Sequence, residues 1–288
     1  MNARRFPPIA TNSGTLEWNE RTQIMAIINL TPDSFSGDGI DGQVELAVQR
    51  ALQAEADGAT ILDLGAESTR PGHHQITASE EIERLLPALK AIRAASTLPI
   101  SVDTSKAMVA RVALEEGADI INDVRGFMSD PGIADVAALE LVPVILMHDL
   151  APEPGVDIVA SILRELSRRI DHAIAKGVAY DNIVIDPGFG FGKDWRQNLE
   201  LLRRLNELQA LGRPILVGLS RKRTIGAVLG TPEDDRVEGT AATTVMAIER
   251  GADIVRVHDV LANARAAQMT DAVVRNPPIN PNSWNPAE

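Results

Sequence analysis

Three stretches of the chain carry the same order of apolar and polar positions: D-G-A-T-I-L-D-L-G at 57–65, E-G-A-D-I-I-N-D-V at 116–124 and R-G-A-D-I-V-R-V-H at 250–258. In each, a glycine ends a helix, a run of aliphatic residues follows as a strand, and a polar group closes it. That is the helix-to-strand half of a repeating βα unit. Reading outward from these anchors predicts strands at 24–29, 60–64, 99–103, 120–122, 142–147, 183–186, 214–218 and 254–257. Helical periodicity fills the gaps, as at 45–56 and 107–116.

Apolar strands alternating with amphipathic helices predict a parallel sheet covered by helices. Eight such units in 288 residues predict an α/β fold, a (β/α)8 TIM barrel, rather than an open doubly wound sheet. Residues 1–18 read as an N-terminal extension or a plug for the barrel, 19–275 as a single catalytic domain, and the Pro- and Asn-rich 276–288 as an irregular tail.

In such a barrel the chemistry sits where the βα loops converge, at the C-terminal ends of the strands. Those ends carry Asn29, Asp63, Asp103, Asn122, His148, Asp186, Ser220, Arg256 and His258. Asp103 and Asp186 come from separate strands and offer carboxylates to one pocket, with Asn122 able to complement them. A partly desolvated carboxylate needs N–H donors to stay charged. The amidine-like edge of a guanine or pterin ring supplies them. Beyond the seventh strand, G-L-S-R-K-R at 218–223 brings Ser220, Arg221 and Lys222, and beyond the eighth, R-V-H at 256–258 brings Arg256 and His258 to one face. These two loops form the frequent phosphate site of such barrels.

Composition narrows the partners. A formal charge of -12 disfavours a general nucleic-acid binder, which needs a basic face. Apolar runs are broken by charge well before the ~18 residues of a membrane span, so no membrane partner is expected. The opening M-N-A-R-R-F-P-P-I-A-T-N-S-G lacks the apolar run of a secretion signal. Cysteine is absent, which suits a reducing compartment, so a cytoplasmic protein is expected. Aromatic residues are 3% of the chain, yet Phe35, Phe127, Phe189 and Phe191 fall in loop-like segments. Two of them belong to D-P-G-F-G-F-G-K at 186–193, which is not a nucleotide-binding P-loop because its glycine spacing and the residue after the lysine are wrong.

Together N-L-T-P-D-S-F-S at 29–36, E-S-T-R-P-G at 67–72, S-V-D-T at 101–104, I-N-D-V at 121–124, D-P-G-F-G-F-G-K at 186–193, G-L-S-R-K at 218–222 and R-V-H at 256–258 resemble the dihydropteroate synthase family. The resemblance runs from about 23 to 272 with the motifs in order. It implies a transferase of folate biosynthesis that joins 6-hydroxymethyl-7,8-dihydropterin pyrophosphate to 4-aminobenzoate and releases pyrophosphate, with Mg2+ as cofactor. C–O cleavage comes first and the amine captures the resulting cation.

Carried onto this chain, the resemblance implies a pterin site of Asp103, Asn122, Met147, Asp186 and Lys222. It implies a pyrophosphate site of Asn29, Arg256 and His258, with Asn29 on Mg2+. Thr69, Arg70, Pro71, Phe35, Phe191, Ser220 and Arg221 would surround aminobenzoate. Asp103, Lys222, Asp33 and Arg70 would be catalytic. Loops 30–42 and 66–78 would be mobile lids, and the chain a homodimer.

The fifth loop, H-D-L-A-P-E-P-G at 148–155, departs from the family's usual pattern, so Asp149 and Glu153 receive no role. Two other readings compete. A pterin-binding methyltransferase that serves a corrinoid protein would not need the pyrophosphate clamp or the S-T-R-P loop. A non-catalytic pterin-binding paralogue would lack the first two loops.

Overall fold

The computed structural model describes residues 6–18, 20–31, 40–68, 75–153, 155–275 and 277. Its main sheet has eight parallel strands: β3 (Gln23–Asn29), β4 (Ile61–Gly65), β5 (Ile100–Asp103), β6 (Ile120–Asp123), β7 (Val144–Met147), β8 (Ile183–Asp186), β9 (Leu216–Val217) and β10 (Ile254–Val257). They follow the order β8-β7-β6-β5-β4-β3-β10-β9. A parallel bridge between Ile185 and Ile215 joins the two ends and closes the barrel. The expected (β/α)8 architecture is therefore present.

Helices α1 (Ile40–Ala56), α2 (Ala78–Ala95), α3 (Ala107–Glu115), α4 (Gly132–Glu140), α5 (Ile158–Ala175) and α6 (Trp195–Arg203) follow β3 to β8 in turn. Two helices, α7 (Arg223–Leu229) and α8 (Val237–Glu249), separate β9 from β10, and α9 (Val260–Val274) follows β10. The glycines of the three repeated segments, Gly58, Gly117 and Gly251, have φ of +101°, +100° and +95°. Side chains rarely adopt that backbone, so glycine ends the helix and the aliphatic run starts the strand. Strands β7 and β9 start later than expected, after Pro143 and Pro214, which have no N–H to give to a ladder, and β9 also ends one residue early.

Each strand turns alternate side chains in and out. The outward residues Ile24, Ala26, Ile28, Leu62, Leu64, Val255 and Val257 pack with helix residues such as Ala47, Leu85 and Leu89. Inward, Met25, Ile61, Ile120, Ile145, Val184, Leu216 and Ile254 make one apolar layer. The hairpin of β1 (Ile9–Thr11) and β2 (Gly14–Leu16) packs Ile9, Leu16 and the following Trp18 against that layer from the N-terminal end. This part of the N-terminal segment is the barrel's plug. With its lower end filled by side chains, the upper rim is where such a barrel places its chemistry.

Candidate active site

Residues two apart on a strand share a face, so the layer above the apolar one is dictated by sequence. Asp63 follows Ile61, Asn122 follows Ile120, Met147 follows Ile145, Asp186 follows Val184 and Arg256 follows Ile254. Asp103, at the end of β5, meets them through Arg256. The Arg256 guanidinium donates from Nε to Asp63 Oδ2 at 2.6 Å and from Nη2 to Asp103 Oδ2 at 2.8 Å. Asn122 Nδ2 lies 3.3 Å from Asp63 Oδ1, and Asn122 pairs with Asp103 in strand register. A guanidinium seated between two carboxylates thus forms the floor of the cavity.

Burial works against charge on Arg256, Asp103 and Asp186, and their neighbours oppose it or add to it. Burial pushes the Asp103 carboxyl up to about 7; Arg256 opposes this, while Asp63, Asp123 and Glu81 add to it. Its Oδ1 is buried and has no hydrogen-bond partner among the described residues. Burial also raises the Asp186 carboxyl, against the Gly188 amide and the Lys222, Arg256 and Lys193 charges. The Gly188 N–H donates to Asp186 Oδ1 at 2.7 Å. Met147 pairs with Asp186 in register and is fully covered. Lys222 precedes α7 and its Nζ sits 4.4 Å above the centre of the Phe191 ring. These residues bring a carboxylate pair, an amide and a lysine to one rim.

The groups expected to face the second substrate and the leaving group are differently engaged. Arg221 has a left-handed φ of +55°, and its guanidinium forks onto Asp259 at 3.0 and 2.5 Å. The Ser220 hydroxyl joins the ends of β9 and β10: it accepts from the His258 N–H at 3.1 Å and lies 3.0 Å from His258 Nδ1. Burial, helped by Arg256 and Arg221, pulls the His258 imidazole down to about 3. His258 is therefore a neutral ring rather than a cation. In the tautomer whose Nδ1 accepts the Ser220 O–H, the ring carries its hydrogen on Nε2, which is then a donor.

Asn29 ends β3 opposite Gly65 and is half-buried. No cluster of three acidic or histidine side chains suited to a metal exists among the described residues. One neutral oxygen from the chain fits Mg2+, which keeps waters and takes much of its coordination from substrate phosphates. Asp33, Phe35, Thr69, Arg70 and Pro71 lie outside the described residues, as do 32–39 and 69–74 of the two expected lids. The stem of the second loop is described. Glu67 accepts from the Ile76 N–H at 3.0 Å, and Lys106 Nζ donates to Glu67 at 2.6 Å and to Glu81 at 2.5 Å.

Residues 25–258 match the pterin binding enzyme family. The dihydropteroate synthase of Clostridium beijerinckii is 48% identical over 265 residues, covering 91% of this chain and 98% of that one. The chain belongs to the dihydropteroate synthase family. Two solved structures share its architecture. The Clostridium difficile dihydropteroate synthase, determined in the presence of pteroic acid, has a TM-score of 0.87 and 47% identity over 90% of this chain and 98% of its own. The Xanthomonas albilineans dihydropteroate synthase with 4-aminobenzoic acid has a TM-score of 0.87 and 42% identity over 93% of this chain and 98% of its own. The family match runs from β3 to His258, so it takes in the whole rim but not the hairpin plug.

Three features of this family member escape a reading of its sequence by motifs. Asp63 lies on the rim by strand alternation, but its hold on Arg256 appears only in three dimensions. Asp149, in the divergent fifth loop, accepts from Arg125 at 2.9 Å and from Arg169 at 2.7 Å, which holds its carboxyl below the usual range despite burial. Arg169 lies on α5, is buried and also donates to the Met147 and Arg125 carbonyls. The third is Lys193, the lysine of the glycine and phenylalanine loop. Its Nζ turns inward to backbone carbonyls rather than outward to a phosphate.

Proposed function

We propose that this chain condenses 6-hydroxymethyl-7,8-dihydropterin pyrophosphate with 4-aminobenzoate, giving 7,8-dihydropteroate and pyrophosphate in folate biosynthesis. The observation that carries the reading is the buried, unpartnered Oδ1 of Asp103, in a floor it shares with Asn122 and Asp186. A buried acceptor left unpaired costs about 1–3 kcal/mol. An N–H edge of a pterin removes that cost. Asp186 and Asn122 would take the neighbouring ring donors, and Lys222 the ring carbonyl. Met147 would cover a ring face.

Bond breaking at the pterin methylene sends the C–O electron pair to the departing diphosphate. Arg256 carries N–H groups beyond the two that hold Asp63 and Asp103, and these with His258 would steady the growing negative charge. Asn29 would hold Mg2+, which supplies charge neutralisation to the diphosphate when bound. The aryl amine then forms the C–N bond and loses a proton. No covalent enzyme intermediate is needed, so positioning and charge stabilisation are the protein's main contributions.

Phe191, Thr69, Arg70, Pro71, Phe35, Ser220 and Arg221 are the proposed surroundings of aminobenzoate, with Asp33 and Arg70 acting in the chemistry. Of these, Ser220 would act mainly through His258. A cytoplasmic homodimer is proposed as the working form. Val228 and Leu229 of α7, Met246 of α8, and Met269 and Val273 of α9 are exposed on three helices that pack side by side, and they support a self-association face. Among the described residues no helix is long and apolar enough to cross a membrane.

The assay supplies pterin pyrophosphate, 4-aminobenzoate and Mg2+. Equal amounts of pyrophosphate and 7,8-dihydropteroate are expected. Pyrophosphate released without amine consumption would overturn the reading in favour of hydrolysis.

A further inference from the structure

The loop after β8 is joined to the loop after β7 at a single buried ammonium. Lys193 Nζ lies 3.0 Å from the Gly188 carbonyl, 3.0 Å from the Phe191 carbonyl, 3.3 Å from the His148 carbonyl and 3.0 Å from His148 Nδ1. The two backbones touch directly: a Cβ placed on Gly188 would sit 1.8 Å from the His148 oxygen. What fixes one loop therefore fixes the other.

The consequences reach the proposed pterin site through one residue. Gly188 accepts from Lys193 through its carbonyl and donates through its N–H to Asp186 Oδ1. On the other side the His148 N–H donates to the Asp186 carbonyl at 2.9 Å. Phe191, held by its own carbonyl, lays its ring under Lys222. We propose that Lys193 is a positioning residue whose ammonium fastens these two loops into one wall and thereby sets the placement of Asp186 and Phe191 toward the substrates. The inference rests on the functional reading above and deepens it.

An ammonium is a costly group to use for this, since no carboxylate among the described residues touches it. Burial lowers the Lys193 amine to about 7; Asp186 and Asp149 favour its charge, while Arg169 and Lys222 oppose it. Burial, with Lys193 and Arg169, draws the neighbouring His148 down to about 3, so the ring is neutral and its Nδ1 can accept from the Lys193 ammonium. The charged amine has three N–H donors for four acceptors, and the neutral amine has two. Losing the proton therefore frees one of the acceptors that hold the wall.

The test measures KM for pterin pyrophosphate and for 4-aminobenzoate, with Mg2+, from about pH 6 to 9 in the wild type, Lys193→Gln and Lys193→Arg. In the wild type both KM values are expected to rise on the alkaline side of about pH 7, where this amine loses its proton. Lys193→Gln is expected to raise both KM values by about tenfold or more at the low end and to lose the basic limb. Lys193→Arg, charged throughout, is expected to lose the limb while keeping most of the turnover. A folded Lys193→Gln with unchanged KM and the limb intact overturns the proposal. If that variant does not fold, persistence of the limb in Lys193→Arg overturns it. A wild type that makes no dihydropteroate removes the functional reading itself.

Discussion

Asp103 and Arg256 meet at 2.8 Å across the mouth of the barrel, one from β5 and one from β10, and the second oxygen of the aspartate has no partner among the described residues. Arg256 draws the carboxylate toward its charged form, while burial and the neighbouring acids push the other way. The balance leaves a site that costs energy when empty and is relieved by a donor-rich ring. Binding then becomes coupled to the protonation of Asp103.

The sign of that coupling is fixed by the raised value. With its carboxyl near 7 when empty, Asp103 is mostly protonated at about pH 6 and mostly charged at about pH 8.5. A pterin that donates two N–H bonds selects the charged form. Pterin binding should therefore release up to about one proton at the lower pH and almost none at the higher, as calorimetry in buffers of different ionisation enthalpy would read. Affinity should weaken as pH falls below about 7, an acid limb opposite in sign to the basic limb set by Lys193, and Asp103→Asn should abolish the proton release and this acid limb. Equal proton release at both pH values would exclude Asp103 as the titrating ligand.

Asp63 is fully buried and its carboxylate meets Arg256 at 2.6 Å. Removing one partner of a buried ion pair leaves the other charge uncompensated, which costs about 3–5 kcal/mol. Arg256 keeps Asp103 and some exposure, so the lower part of that range applies. Asp63→Ala should lower the unfolding free energy by about 3 kcal/mol and cut turnover at least about a hundredfold through misplacement of Arg256. A variant with full stability and turnover would show that Asp103 alone positions the guanidinium.

Two glycines of left-handed backbone separate strain from collision. Gly188 and Gly230 have φ of +70° and +71°, but a Cβ on Gly188 would strike the His148 carbonyl while one on Gly230 meets nothing within 4 Å. Gly230→Ala should cost about 1 kcal/mol, the left-handed penalty alone. Gly188→Ala should cost at least about 3 kcal/mol and displace the loop that carries Asp186 and Phe191. Chemical denaturation of both variants checks the difference, and equal costs would mean the two loops part easily.

Much of the barrel was legible because its signals are local. Glycine-terminated helices, aliphatic runs and strand alternation placed eight strands and the inward carboxylates without any distance being known. Arg256 and Asp103 could be named singly but not as a pair, since 153 residues separate them. The same holds for Lys193, whose acceptors are backbone carbonyls and therefore leave no mark on residue type. The sequence places Arg221 and Ser220 beyond the seventh strand as ligand contacts; their partners Asp259 and His258 become visible only when β9 and β10 lie side by side.

The hairpin plug shows how a region outside the matched family span still supports the site. Trp18 is 4% exposed, donates from Nε1 to the Pro7 carbonyl at 3.0 Å and shares a cluster with the inward residues Met25, Ile120 and Val184. Those residues are the layer on which Asn122 and Asp186 stand, two positions along their strands. A cavity in place of the indole should cost about 3–5 kcal/mol. Because the strands above are tied by their own ladders, Trp18→Ala should lower the melting temperature while leaving the KM for pterin pyrophosphate within about twofold at a temperature where the variant is folded. A large rise in KM under those conditions would mean that the plug sets the height of the pterin floor as well as the stability of the barrel.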